Sequence, residues 1–163
     1  MNYISLSDYK KAWVFRHKDL PIDPDDFLKI KPMSESRSAN LWASFLSNEN
    51  DHPDFFKSSD WPGNDDNWVE SIEWEKLWEN DEEHLPEEIL AHLNWDNNTV
   101  IYFCNSRRDV IETSWSIFKK YWKNFLFMSD GSILIGKKRK EAVQFLDTIK
   151  RLIEDPTRLL LEI

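Results

Sequence analysis

The clearest pattern along the chain is a stripe of apolar residues at helical spacing. Ile111, Trp115, Phe118, Trp122 and Phe125 follow one another at intervals of four, three, four and three, which predicts an amphipathic helix with one broad buried face. Ser106, with Asp109 three residues on, supplies a capping signal, so the helix is expected over 107–123. Just before it, "TVIYFC" (99–104) is β-branched and aromatic on alternate and intervening positions alike. That predicts a strand covered on both faces. After it, "FLFMSDGSILIG" reads as a hairpin, with strands at 125–129 and 132–136 and Asp130-Gly131 at the turn.

Leu41, Trp42, Phe45 and Leu46 mark a helix over 34–47 opened by Ser34, and Trp74, Leu77 and Trp78 mark another over 71–80. Ile89, Leu90 and Leu93 share a face of a short helix over 86–93. Nearer the start, "AWVFR" suggests a strand, and Asp23-Pro24 opens a helix that Pro32 stops. Two readings stand open for 139–154. The period fits one helix, whereas a meander gives a strand at 142–146 and a shorter helix after it. "RLLLEI" supplies a further strand near 158–162. Strands mixed with helices around a small, mostly antiparallel sheet define an α+β fold, expected as a single domain over 1–163. Residues 48–67 are expected to be an ordered acidic surface loop, because Phe55, Phe56 and Trp61 are too apolar for a free tether.

Charge changes this picture. The formal net charge is −9, but Glu49–Glu88 holds 15 acids against 2 bases, and Arg107–Arg151 holds 11 bases against 5 acids. A dipolar molecule follows. Its overall acidity disfavours non-specific contact with nucleic acid or an anionic membrane. No apolar run reaches the roughly 20 residues that span a bilayer, and the opening residues lack a secretion signal. The single Cys104 cannot form an internal disulfide and fits a reducing compartment.

Several stretches together resemble a known family: "DYKKAWVFRHKDLPI", "DWPGNDDNW", "WEKLWE", "LPEEILAHLNWDNNTVIYFC" and "IETSWSIFKKYWKNFLFMSDGSILIGKKRKEAVQF". They are similar to small uncharacterised bacterial proteins grouped as a domain of unknown function. The resemblance implies a one-domain cytoplasmic bacterial protein. It implies no activity and carries over no catalytic residue.

Candidate chemistry is sparse. The chain contains no HExxH, paired CxxC, P-loop, GxSxG or dinucleotide fingerprint. His84 and His92 stand eight apart, about 12 Å along a helix and too far to share one ion, so no metal and no cofactor is expected. Cys104 at a strand end could be a nucleophile with His84 or His92 as base, but its apolar strand suits a buried thiol better. No catalytic residue is assigned, and a non-enzyme is the preferred reading. Candidate binding residues are Trp61, Trp68, Trp74 and Trp78 in the acidic segment, Arg107 after the strand, and Lys137, Lys138 and Arg139 in the "GKKRK" loop. Tryptophans embedded in acid favour an interaction module, of inhibitor or immunity type, that docks on a basic protein. A small-ligand binder or enzyme with a Trp-lined cleft near the end of strand 99–104 is the alternative. Nucleic-acid contact through residues 137–140 is the second.

Overall fold

The computed structural model describes residues 1–72, 84–146 and 157–160. Among the described residues seven strands form one sheet: β1 (Lys31–Pro32), β2 (Glu70–Ile72), β3 (Val100–Ser106), β4 (Asp109–Ser114), β5 (Ser132–Gly136), β6 (Ala142–Phe145) and β7 (Thr157–Leu160). Their order is β1-β4-β3-β5-β6-β7-β2, and every neighbouring pair is antiparallel. Four α-helices accompany the strands among the described residues: α1 (Pro24–Phe27), α2 (Glu35–Phe45), α3 (Glu87–His92) and α4 (Trp115–Phe127). The protein is α+β.

Alternation along β3 explains why its sequence is apolar throughout. Ile101 and Phe103 join a core with Trp115, Phe118, Trp122 and Phe125 of α4, and with Ile89 and Leu93 at α3. Tyr102 and Cys104 face the other way, into a second core with Leu41 and Trp42 of α2, Leu46, Met33, Ile133 and Ile135. Successive strand residues point to opposite faces, so each β3 side chain is claimed by one layer or the other. Phe103 is the hub of the α4 side, with ring centroids 5.7 Å from Phe118, 5.4 Å from Phe125 and 6.4 Å from Phe145. Such aromatic pairs add about 0.5–1.5 kcal/mol each beyond buried area.

Three sequence expectations are corrected. The helix expected over 107–123 is a strand, β4, followed by α4. Its N-cap is Ser114, whose Oγ accepts from Ile117 N at 3.3 Å, not Ser106, which lies in the β3–β4 hairpin. The strand expected at 125–129 is the last turn of α4, so Asp130-Gly131 connects a helix to β5 and is not a hairpin turn. Gly131 is still required there, at φ 80°. "AWVFR" is a 3-10 turn over Ala12–Phe15 rather than a strand. It packs Ala12, Val14 and Phe15 beneath α4, with Asn124 Nδ2 donating to Val14 O and Leu20 O, both at 2.9 Å.

Of the two readings for 139–154, the strand is the observed one as far as residue 146: Ala142–Phe145 is β6, paired with β5 and β7. The shorter helix expected after it lies outside the described residues. The helix expected at 71–80 begins on β2, and its remainder, with Trp74 and Trp78, also lies outside them.

Candidate functional site

The acidic segment leaves α2 and doubles back across the second core. His52, Asn64 and Pro residues open three short 3-10 turns, at Pro53–Phe55, Trp61–Gly63 and Asp65–Asn67. Asn64 accepts from Asp66 N at 3.1 Å, which is the Asx turn expected of that residue. Phe56 stacks on Trp42, centroids 5.5 Å apart and planes 19° apart. Trp42 Nε1 in turn donates to Asn50 O at 2.7 Å.

Trp61 and Trp68 are half-buried and lie 5.8 Å apart. Both pack on the second core. The Trp61 indole N–H donates to Phe45 O, and that of Trp68 to Pro62 O at 3.0 Å. Trp68 thus has its polar end occupied within the loop, and Trp61 has its own tied to the last residue of α2. Gly63 makes this turn possible, since a Cβ there would sit 2.2 Å from Lys57 O. Asp60 ties the same turn, accepting from Asn50 Nδ2 at 2.7 Å and from Lys57 N at 3.1 Å.

What the loop exposes is different. Phe45 is 55% exposed, Phe55 64% and Val69 60%. Asp51, Asp54, Asp65 and Asp66 are exposed beside them in sequence. His52 caps the first turn, its Nδ1 accepting from Asp54 N at 3.0 Å, while its Nε2 lies 3.7 Å from Asp130 Oδ2. His52, Asp54 and Asp130 form the one His-carboxylate cluster among the described residues with ligand atoms in mutual reach of an ion. Nδ1 is already committed to the backbone.

Arg107 holds this loop to the sheet. Its Nη2 donates to Ser47 O at 3.2 Å, Asn48 O at 2.8 Å and Asn50 O at 3.4 Å, and its Nε to Asp51 Oδ1. Its backbone N–H donates to Asp51 O at 2.8 Å. One guanidinium thus gathers the carbonyls that close the α2 end, as its planar fork allows. Beside it, Asn105 is buried at a bulge in the β3–β4 pairing. It accepts from Ser132 Oγ and donates to Met128 Sδ at 3.2 Å. Cys104 is fully buried, and burial, then the Asp109 carboxylate, pushes its thiol far above the usual range. His92 ends α3, which packs on the α4 side, while Cys104 faces the α2 side. The sheet stands between the two, so they are not a nucleophile and its base.

The basic loop divides. Lys137 and Lys138 are exposed, with Lys138 in the left-handed region at φ 59°. Arg139 folds back, donating to Thr99 Oγ1 at 3.3 Å and lying 3.9 Å from Asp96. Lys119 donates to Asn97 Oδ1 at 2.7 Å, and Lys120 bridges Asp23 at 2.9 Å and Asp26 at 3.0 Å. The later basic stretch is in part balanced within the molecule.

The sequence did not single out an aromatic patch on the opposite end of the core. Trp13 is 53% exposed and meets Phe127 edge-on at 5.9 Å, and His17 lies 5.5 Å from Phe127. A period count could have found Trp13, since it breaks the Ala12, Val14, Phe15 set that is buried around it.

The antiparallel sheet covered on both faces defines an α+β protein. The chain belongs to the family described as "Protein of unknown function (DUF2947)", whose model matches residues 3–151. No curated protein and no solved structure matches it. Among the described residues no helix is long and apolar enough to cross a membrane.

Proposed function

We propose that the protein is an interaction module whose acidic loop, residues 48–69, docks on a basic protein, in the manner of an inhibitor or immunity protein. The reading treats residues 1–163 as one folding unit. The observation that carries it is the exposure of Phe55 and Val69 in an acid-rich segment, with Phe45 exposed at the end of α2 just before it. Large apolar side chains left in water on an acid-rich surface lose free energy until covered, and acid around them would speed association with a positive partner. Trp61 and Trp68 serve this reading as supports that fix the loop rather than as anchors, because their indole N–H groups are spent on Phe45 O at the end of α2 and on Pro62 O within the loop. A loop already ordered by Arg107, Asp60 and Gly63 has less entropy to lose on binding. A cytoplasmic setting accords with the single free cysteine.

The test is cross-linking of the full chain in cells, followed by quantitative recovery with and without Phe45→Ser, Phe55→Ser and Val69→Ser together. A basic partner should be recovered, its cross-links should fall in residues 45–69, and the triple variant should lose it. Salt of roughly 0.3 M should weaken the complex, since the Debye length falls below about 6 Å. Recovery that is unchanged by the triple variant, or a partner that is acidic, overturns the reading.

A further inference from the structure

A second surface feature lies away from the acidic loop. The opening residues run beside β1: Ile4 N donates to Pro32 O at 3.0 Å, Ser34 N donates to Asn2 O at 2.9 Å, and Tyr3 bridges Met33. This pairing leaves a cleft of about 550 Å³ between the opening segment and the turn that joins α1 to β1. Ile30, 3% exposed, lies among its lining residues with Leu6 and Phe27, which pack against the core. Ile4 and Leu28 line it too, yet are 39% and 83% exposed. Single exposed apolar residues are ordinary. Here two of them share one open concavity with three others, of a size that holds a small molecule.

The charge of the lining is opposite to that of the molecule. Arg16 and Lys31 line the cleft, both exposed, and neither has an acidic partner among the described residues. The Lys31 ammonium rests only over the Tyr3 ring, 5.6 Å from its centroid. Glu112, the carboxylate at the Tyr3 end, is already taken: Tyr3 Oη donates to it at 2.7 Å and Arg37 Nη2 at 3.3 Å. Asp8 accepts from Ser5 Oγ at 2.8 Å.

We propose that this cleft binds a small amphiphilic carboxylate, its apolar body against Ile4, Leu6, Phe27, Leu28 and Ile30 and its charged end between Arg16 and Lys31. An arginine and a lysine in the lining of an apolar slot suit a carboxylate better than a neutral or cationic head. The sheet edge and the Tyr3 bridge hold the walls in place, so little ordering is required on binding.

The probe is decanoate, titrated below its micelle concentration into the full chain and followed through backbone amide shifts. Saturable shifts confined to residues 3–7, 16 and 27–31 are expected. Arg16→Gln with Lys31→Gln should weaken decanoate about tenfold and leave decanol unaffected. Leu28→Asp places a carboxylate at an exposed position where folding is not at stake, and should weaken decanoate about tenfold as well. Thermal melts unchanged in both variants separate loss of binding from loss of fold. The proposal is overturned by shifts that do not saturate or that scatter over the surface. Equal decanoate affinity in the Arg16→Gln, Lys31→Gln variant, or in Leu28→Asp, also overturns it.

Discussion

Tyr121 donates its phenol hydrogen to Asp26 Oδ2 at 2.5 Å, joining α4 to α1. Tyr121 is also the residue at which α4 leaves helical geometry, with φ −120° and ψ 27°. Kink and contact coincide: the interruption of the helix falls where a buried carboxylate gathers Tyr121, Lys120 and Lys29. The Tyr121 hydrogen bond first, then Lys120, lowers the Asp26 carboxyl from 3.8 to about 2.

Because the folded value lies below the unfolded one, Asp26 stabilises the protein fully above about pH 4, and that contribution is lost as pH falls through about 2. Tyr121→Phe removes the principal partner of a buried carboxylate. It should cost about 2 kcal/mol near neutral pH and flatten the acid limb of the stability profile between roughly pH 4 and pH 2. Urea unfolding across that range checks both.

Arg107→Lys keeps the charge and loses the fork. A single ammonium cannot reproduce the set of contacts to Ser47 O, Asn48 O, Asn50 O and Asp51. The expected loss is about 1–2 kcal/mol, with faster amide exchange over residues 47–60 and none over β5. Exchange that rises uniformly would show that Arg107 supports the whole fold rather than this loop.

Gly63→Ala sets a methyl 2.2 Å from Lys57 O, a backbone atom with no side-chain freedom to yield. A cost of about 1–3 kcal/mol follows. Since Trp61 and Trp68 flank the site, near-ultraviolet dichroism should change at temperatures where far-ultraviolet dichroism does not.

Cys104 should be inert in the folded protein. Its burial and raised ionisation leave essentially no thiolate near neutral pH. Reaction with an aromatic disulfide reagent should follow unfolding, reaching one thiol per chain only in denaturant. Rapid labelling of the native protein would contradict the burial seen here.

Which elements the sequence disclosed depends on how many signals agreed. β3 was legible because both faces are buried, which gives an uninterrupted apolar run. α2 was legible from its stripe and its Ser34 cap, which accepts from Arg37 N at 3.3 Å. β4 was hidden by coincidence. Ile111 faces the same core as Trp115 and Phe118, so a strand residue extended the helical period by one correct-looking step, and Ser106 offered a second plausible cap. The final turn of α4, Phe125–Phe127, is rich in residues that favour strands, and the Asp-Gly pair after it completed the hairpin signature. Tertiary burial, not local preference, decided both. Of the binding candidates, Arg107 follows β3 directly and its guanidinium meets Ser47, Asn48, Asn50 and Asp51, contacts that no local sequence pattern announces. The exposure of Phe45 had no signal, since it lies within the buried stripe of α2, whereas Trp13 could have been found as the break in the Ala12, Val14, Phe15 set.

One consequence concerns the order of assembly. β2, at the end of the acidic segment, pairs with β7, Ile72 opposite Thr157. Its sheet partner is thus synthesised some 85 residues later, a delay of roughly 4–17 s at ordinary elongation rates. During that interval β3, β4 and α4 are already made and can pair locally, while the strand that anchors the acidic loop's far end has no mate. The nascent chain therefore presents its most negatively charged stretch to its surroundings before the strand that pairs with β2 has been made.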